Sequence, residues 1–113
     1  MQILTGYDVN IKDGCSAALG TFDGLHLGHV AVIKNALAAA ERLEVGCTVI
    51  SVRRGVSDEL MTLKSFEESL AKLGVDTLIL LDLEDIKDTI AEDFVDDFLF
   101  SKLKVRHMTC GFN

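Results

Sequence analysis

The sequence predicts an α/β domain, a parallel sheet with helices on both faces. Three observations predict it. Short apolar runs suited to fully buried strands recur along the chain. Amphipathic stretches of helical period separate them. The chain has 113 residues, of which 49% are hydrophobic, enough for one domain with a real core.

The first strand is "CSAALG", a short apolar run that closes on Gly20. A helix follows over residues 27–44, with Val30, Ile33, Leu37 and Ala40 recurring at three and four and alanines between them. The second strand, "GCTVISV" over 46–52, is β-branched and apolar. "RRGVSDELM" reads as a polar loop. Ser65 and Glu68 have capping-box spacing, and Phe66, Leu70 and Leu73 line one helical face before Gly74 stops the helix. "DTLILLDL", residues 76–83, is the third strand. Thr89 and Glu92 repeat the capping signal, and Ile90, Phe94, Val95, Phe98 and Leu103 supply an apolar stripe. The fourth strand begins at Lys104 and ends on a glycine turn. In sheets of this order, ligands sit beyond the carboxyl ends of the strands. The segments 20–29 and 111–113 should both lie on that edge.

Composition narrows the function classes. The net charge is −7, the wrong sign for a generic nucleic-acid binder, which neutralises phosphates with clustered Lys and Arg. No apolar run approaches the length of a membrane span, and no basic segment followed by an apolar stretch opens the chain. Cys15, Cys47 and Cys110 lack metal-ligand or redox spacing and read as buried or semi-buried thiols of a reducing, cytoplasmic compartment. There is no proline, so turns rest on Gly, Asn, Asp and Ser.

The stretch "TFDGLHLGH", residues 21–29, concentrates the chemistry. Gly20 and Gly24 let the chain fold tightly over a bound group. The helix that starts near Leu27 offers unpaired amides and a partial positive charge, an anion site suited to phosphate. His26 and His29 are three apart and can face one ligand, with Gly28 between them removing a side chain where a phosphate needs close approach. Such donors stabilise charge that grows on phosphate oxygens in phosphoryl or nucleotidyl transfer. The competing reading makes the histidines ordinary capping or surface residues. Zinc is disfavoured, because beyond Asp23 no further ligand lies close in sequence, and the Walker and G-x-G-x-x-G patterns are absent. Arg53 and Arg54 read as a solvated pair, and His107 as a strand-edge histidine.

The stretch "LGTFDGLHLGH" resembles the H-x-G-H signature of the nucleotidyltransferase superfamily. Its F-D-G-x-H-x-G-H form is most similar to bacterial FAD synthetase, the adenylyltransferase half of bifunctional riboflavin kinase/FAD synthetase. "SFEESLAKLGVDTLILL" resembles that family's helix and strand through L-G-V-D. "EDFVDDFLFSKLKVRHMTCGFN" resembles its E-x-F-V helix and the strand opening a G-x-N/D-F loop. The resemblance runs over residues 14–113. It implies a Rossmann-like three-layer domain of nucleotidyltransferase type, spanning residues 1–113. It also implies a reaction in which ATP and FMN, with Mg²⁺, give FAD and pyrophosphate. By the same resemblance, His26 and His29 bind the triphosphate and stabilise the charge at the α-phosphate. Gly20, Thr21 and Phe22 lie along the nucleotide through their backbone, joined by Asp23, Gly24 and Gly28. Asn113 matches the polar position of the G-x-N/D-F loop. Two departures stand out. The family's F-x-P-H-P-like segment is replaced by "SVRRGVSDEL". The rest of the loop, a further strand, the S-S-T-x-I-R-like region and the riboflavin kinase domain do not follow Asn113. The resemblance therefore predicts a C-terminally truncated domain. Other H-x-G-H enzymes, such as phosphopantetheine adenylyltransferase or a cytidylyltransferase, remain alternatives, as does a non-catalytic nucleotide-binding module. The oligomeric state is left open.

Overall fold

A computed structural model of the protein describes residues 1–6, 9–22, 27–53, 63–82 and 93–111. Five strands form one wholly parallel sheet: β1 (Gln2–Thr5), β2 (Cys15–Gly20), β3 (Gly46–Arg53), β4 (Thr77–Asp82) and β5 (Val105–Gly111). Their order across the sheet is β1-β4-β3-β2-β5. α1 (Leu27–Leu43) links β2 to β3, α2 (Leu63–Leu73) lies between β3 and β4, and α3 (Phe94–Lys102) precedes β5. This is the α/β, Rossmann-like architecture that the alternation of strands and helices predicts.

β1 is the element that sequence reasoning missed. It is four residues long, and its side chains are mostly exposed, with Ile3 at 41%. An edge strand that buries so little carries almost no hydrophobic pattern, and its existence depends on the ladder offered by β4.

Two cores sandwich the sheet. On one face, α1 and α2 bury Ile33, Ala36, Ala40, Phe66 and Leu70 against Ala18, Cys47, Val49 and Leu78. On the other, α3 buries Phe98, Leu99 and Leu103 against Cys15, Ala17, Ile50, Ile79 and Leu81. Along β2 the residues facing α1 are Ser16, Ala18 and Gly20, all small, so the helix settles close to the strand. The Ser16 hydroxyl donates to the Ala36 carbonyl at 2.8 Å, which satisfies both groups in that tight contact. The buried stripe of α1 is His29, Ile33, Ala36, Ala39 and Ala40, shifted from the predicted one because Val30 and Leu37 are only half-buried.

Both long helices end in the same way. Val45 N–H bonds to Ala40 O and Glu44 N–H to Glu41 O; Val75 N–H bonds to Leu70 O and Gly74 N–H to Ala71 O. The residue that turns out is Gly74 after α2 (φ 100°) but Glu44 after α1 (φ 58°), a left-handed conformation that glycine adopts more readily. Asp76 then clamps the start of β3: its carboxylate accepts from Cys47 N–H at 2.9 Å, and its own N–H donates to Cys47 O at 3.0 Å.

Three expectations need correction. Ser65 does not cap α2, because the helix begins at Leu63 and places Ser65 inside its first turn. The third helix is π-helical, with Leu103 N–H donating to Phe98 O five residues back. That wider turn keeps Phe98 and Leu103 on the sheet and swings Val95 away from it, to 50% exposure. Cys110 is exposed, whereas Cys15 and Cys47 are buried as expected. Thr89, Ile90 and Glu92 lie outside the described residues, as does the polar loop from Arg54 to Met61.

Candidate functional site

From β2 the strand order runs outward through β3 and β4 on one side, while β5 lies on the other. The sheet therefore changes direction between β2 and β5. In open parallel sheets the crevice beyond the carboxyl ends of two such strands is where ligands bind. The register makes this crevice specific. Gly20, the last residue of β2, stands beside Gly111 of β5 on one side and Ser51 of β3 on the other. Leu80 of β4 continues the same row. Two adjacent glycines leave the floor at the switch point without side chains, so a ligand can approach the backbone there.

Thr21, half-buried, and Phe22 follow β2 directly. Phe22 is 1% exposed and belongs to the α1/α2 core, so its ring is a packing element and only its backbone is free to run beside a ligand. Gly28 and His29 lie in the first turn of α1, where unpaired amides and the helix dipole favour an anion. His29 is 3% exposed. The Phe22 ring meets the imidazole edge-on, with centroids 5.1 Å apart and planes at 85°, and stacks on Phe66 at 6.3 Å. Phe22 thus ties the end of β2, the start of α1 and α2 together, and fixes the imidazole at the helix N-terminus. Asp23, Gly24, His26 and Asn113 lie outside the described residues.

Sequence reasoning passed over Ser51. The strand around it reads as apolar, yet its side chain is fully buried and its hydroxyl has no hydrogen-bond partner among the described residues. A serine in the carboxyl-terminal half of a mostly apolar strand is the signal that could have found it. His107 Nδ1 and Thr109 Oγ1 of β5 are likewise buried atoms without partners among the described residues. They sit beside Ser16 and Ala18, further back from the edge. His107 does lie on an edge strand, as expected: β5 pairs with β2 alone among the described strands.

The groups with perturbed acidity are elsewhere. Burial pushes the Cys47 thiol up to about 12, helped by the Asp76 carboxylate and by Cys15. Burial also raises the Cys15 thiol, opposed by a hydrogen bond with Thr48. Cys15 and Cys47 stand at the amino ends of β2 and β3, the opposite edge of the sheet from the switch point. They are core thiols, not nucleophiles of this site. Among the described residues no group of three or more His, Cys, Asp or Glu is placed to hold a metal ion.

A parallel sheet of this order, with a glycine-floored switch point and a long helix leading from β2, defines a Rossmann-like α/β domain. Sequence comparison names the family. The chain belongs to the FAD synthetase family, whose profile matches residues 8–113. It is 36% identical over 107 residues to the bifunctional riboflavin kinase/FMN adenylyltransferase of Listeria monocytogenes, a match spanning 85% of this chain and 34% of that protein. The Haemophilus influenzae enzyme of the same name is 26% identical over 98% of this chain and 40% of its own length. The chain therefore spans well under half the length of these curated relatives. A pantothenate synthetase from Laribacter hongkongensis is 32% identical over 74% of the chain, which fits the wider nucleotidyltransferase superfamily. Among solved structures, one titled a macrolide-efflux protein from Streptococcus pneumoniae superposes with a TM-score of 0.81. That match covers all of this chain and 42% of the other at 19% identity, and it bears on the fold alone. No helix among the described residues is long and apolar enough to cross a membrane.

Proposed function

We propose that this chain carries the adenylyltransferase site that joins ATP to FMN, giving FAD and pyrophosphate. The observation that carries the reading is His29, buried at the N-terminus of α1 against Phe22, which follows the end of β2 at Gly20, in a chain of the FAD synthetase family. In the reaction a phosphate oxygen of FMN attacks the α-phosphorus of ATP in line. The bond from the α-phosphorus to the bridging oxygen breaks, and pyrophosphate leaves with that electron pair. Negative charge grows on the α-phosphate oxygens as the bonds exchange, and fixed donors aimed there lower the barrier.

On this reading the imidazoles of His29 and His26 are those donors, and the α1 amides hold the triphosphate. Gly20, Thr21 and Phe22 run beside the nucleotide through their backbone. Asp23 and Gly24 shape the turn, Gly28 permits close approach, and Asn113 meets substrate from the end of β5. Mg²⁺ enters with ATP as its counterion and neutralises phosphate charge. On this reading the partners are small molecules, without nucleic acid or membrane, and the compartment is the cytoplasm.

A second reading is a module that binds the nucleotide without completing transfer, which the same helix N-terminus and glycine floor would also serve. FAD formation from FMN and ATP with Mg²⁺, followed by chromatography, separates the two. Product that disappears in His29→Ala supports transfer. ATP binding without product supports a binding module. Turnover with pantetheine phosphate or CTP in place of FMN or ATP would move the chain to another branch of the superfamily.

A further inference from the structure

We infer that Ser51 is a ligand-binding residue of this site, its hydroxyl donating a hydrogen bond to a phosphate oxygen of the bound nucleotide. The inference rests on the nucleotide-binding reading above and adds a residue to it.

Ser51 is 0% exposed, and its hydroxyl has no partner among the described residues. A buried hydroxyl without a hydrogen bond is costly, and a native fold that keeps one has a use for it or a hidden partner. Position says which use. Ser51 is in the row where β2 and β5 end, between Leu80 and Gly20, with Gly111 one strand beyond, while β3 and β4 run on for two residues. Cys47 and Val49 of β3 belong to the α1/α2 core, so strand alternation puts Ser51 on that same face. His29 and Phe22 are on that face too. In that row Thr5 stands at the far edge on β1, Leu80 is apolar and the two glycines have no side chain, so Ser51 is the polar side chain next to the glycine floor.

The chemistry of the surroundings selects the ligand group. The α1 N-terminus brings partial positive charge and unpaired amides to the crevice. A hydroxyl there completes an anion site as a neutral donor, which adds a hydrogen bond without adding charge. Beside it, the bare backbone at Gly20 and Gly111 gives a phosphate oxygen a path along the strand ends. The two other orphaned polar atoms, on His107 and Thr109, lie in rows further from the edge, in side chains only half-buried. They do not share this position.

A hydroxyl kept for a ligand and a hydroxyl kept for the fold respond oppositely to removal. Ser51→Ala should leave thermal unfolding of the protein without ligand unchanged or slightly raised, because an unsatisfied polar group is deleted. The same substitution should weaken binding of ATP with Mg²⁺ at least fivefold by titration calorimetry. Inorganic tripolyphosphate should lose the same factor, since the contact is to phosphate. If wild-type protein binds ATP and Ser51→Ala binds it equally well, Ser51 is not a ligand residue and the functional reading survives. If ATP weakens but tripolyphosphate does not, the contact is not to phosphate and the inference fails. A lowered melting temperature with unchanged binding assigns Ser51 to the fold. If wild-type protein binds neither probe, the functional reading falls first and takes this inference with it.

Discussion

On the α1/α2 face, the residues of β2 and β3 that point at a helix are all buried: Ser16, Ala18, Gly20, Cys47, Val49 and Ser51. On the α3 face Cys15, Ala17 and Ile50 are buried but Leu19 and Val52 only half-buried, and the helix above them is more open still. Val95 is 50% exposed and Phe100 71%, and a groove of about 250 Å³ runs between Val95, Leu99, Phe100, Val105 and Met108. One face is closed with small residues under regular α-helices; the other is closed by a nine-residue π-helix with apolar side chains to spare. The closed face holds the candidate site. Small residues under α1 do two things together: they let the helix approach the strand, and they empty the end of that strand for a ligand. The α3 face has packing without chemistry.

The largest effect expected tests whether the α3 face is a core at all. Phe98 is fully buried beneath α3, as Phe66 is beneath α2. Phe98→Ala should destabilise the domain by about 3–5 kcal/mol, much of the total for a chain of this size, and Phe66→Ala by a similar amount. Urea unfolding followed by circular dichroism measures both. A loss below about 1 kcal/mol for Phe98 alone, well under the usual range for such a deletion, would mean that α3 packs loosely in solution.

The next effect belongs to the other face. His29→Ala should lower adenylyl transfer by at least about tenfold, equivalent to roughly 1.4 kcal/mol of transition-state stabilisation. It also deletes an edge-on contact with Phe22, so stability should fall by about 0.5–1.5 kcal/mol. Steady-state kinetics on protein shown to be folded separates the two losses. Unchanged turnover would leave His29 as a packing residue in the α1 stripe.

How much of this was legible follows the same division. The strands over 15–20, 46–53 and 77–82 were readable because both faces of each are buried, which leaves continuous apolar runs. β1 was not, because its stability comes from pairing with β4 and not from its own side chains. Helix existence was readable from period; the π register of α3 was not, since Phe94, Phe98 and Leu103 fit a helical stripe loosely under either hydrogen-bond pattern. At the site, the glycines and histidines of 20–29 announced themselves by type and spacing. The pairing of Gly20 with Gly111 could not, because residues 91 positions apart meet only through strand order. Ser51 went unread because β3 carries two hydroxyls, Thr48 and Ser51, and neither stands out until burial and hydrogen bonding are known.

The thiols extend the comparison to the two edges of the sheet. Cys47, whose folded-state thiol is raised to about 12, and Cys15, also raised by burial, should stay protonated and unreactive at pH 8. Cys110, exposed on β5, should react first with a disulfide reagent, giving one fast thiol of three. The sign of the linkage follows. A thiol raised in the folded state is bound more tightly to its proton there than in the unfolded chain. Stability from Cys47 is therefore fully present below the unfolded value near 9 and is lost as pH rises through about 12. A melting temperature that does not fall as pH passes 9 would contradict a neutral, buried Cys47.

Phe100 should give the smallest change in stability and the sharpest test of what the α3 face is for. A side chain 71% exposed buries little on folding, so Phe100→Ser should shift the unfolding free energy by no more than about 0.5 kcal/mol. Its effect should appear in solubility instead. Phe100 overhangs the groove beside β5, and β5 is the edge strand nearest to it, with a backbone edge that no described strand covers. Exposed apolar surface next to an open strand edge is a template for association. Sedimentation at increasing protein concentration should therefore show self-association in the wild type that Phe100→Ser reduces while melting stays constant. If Phe100→Ser instead lowers stability by more than about 1 kcal/mol, well outside the range for an exposed site, the ring is packed in solution and the two faces of the sheet are closed alike.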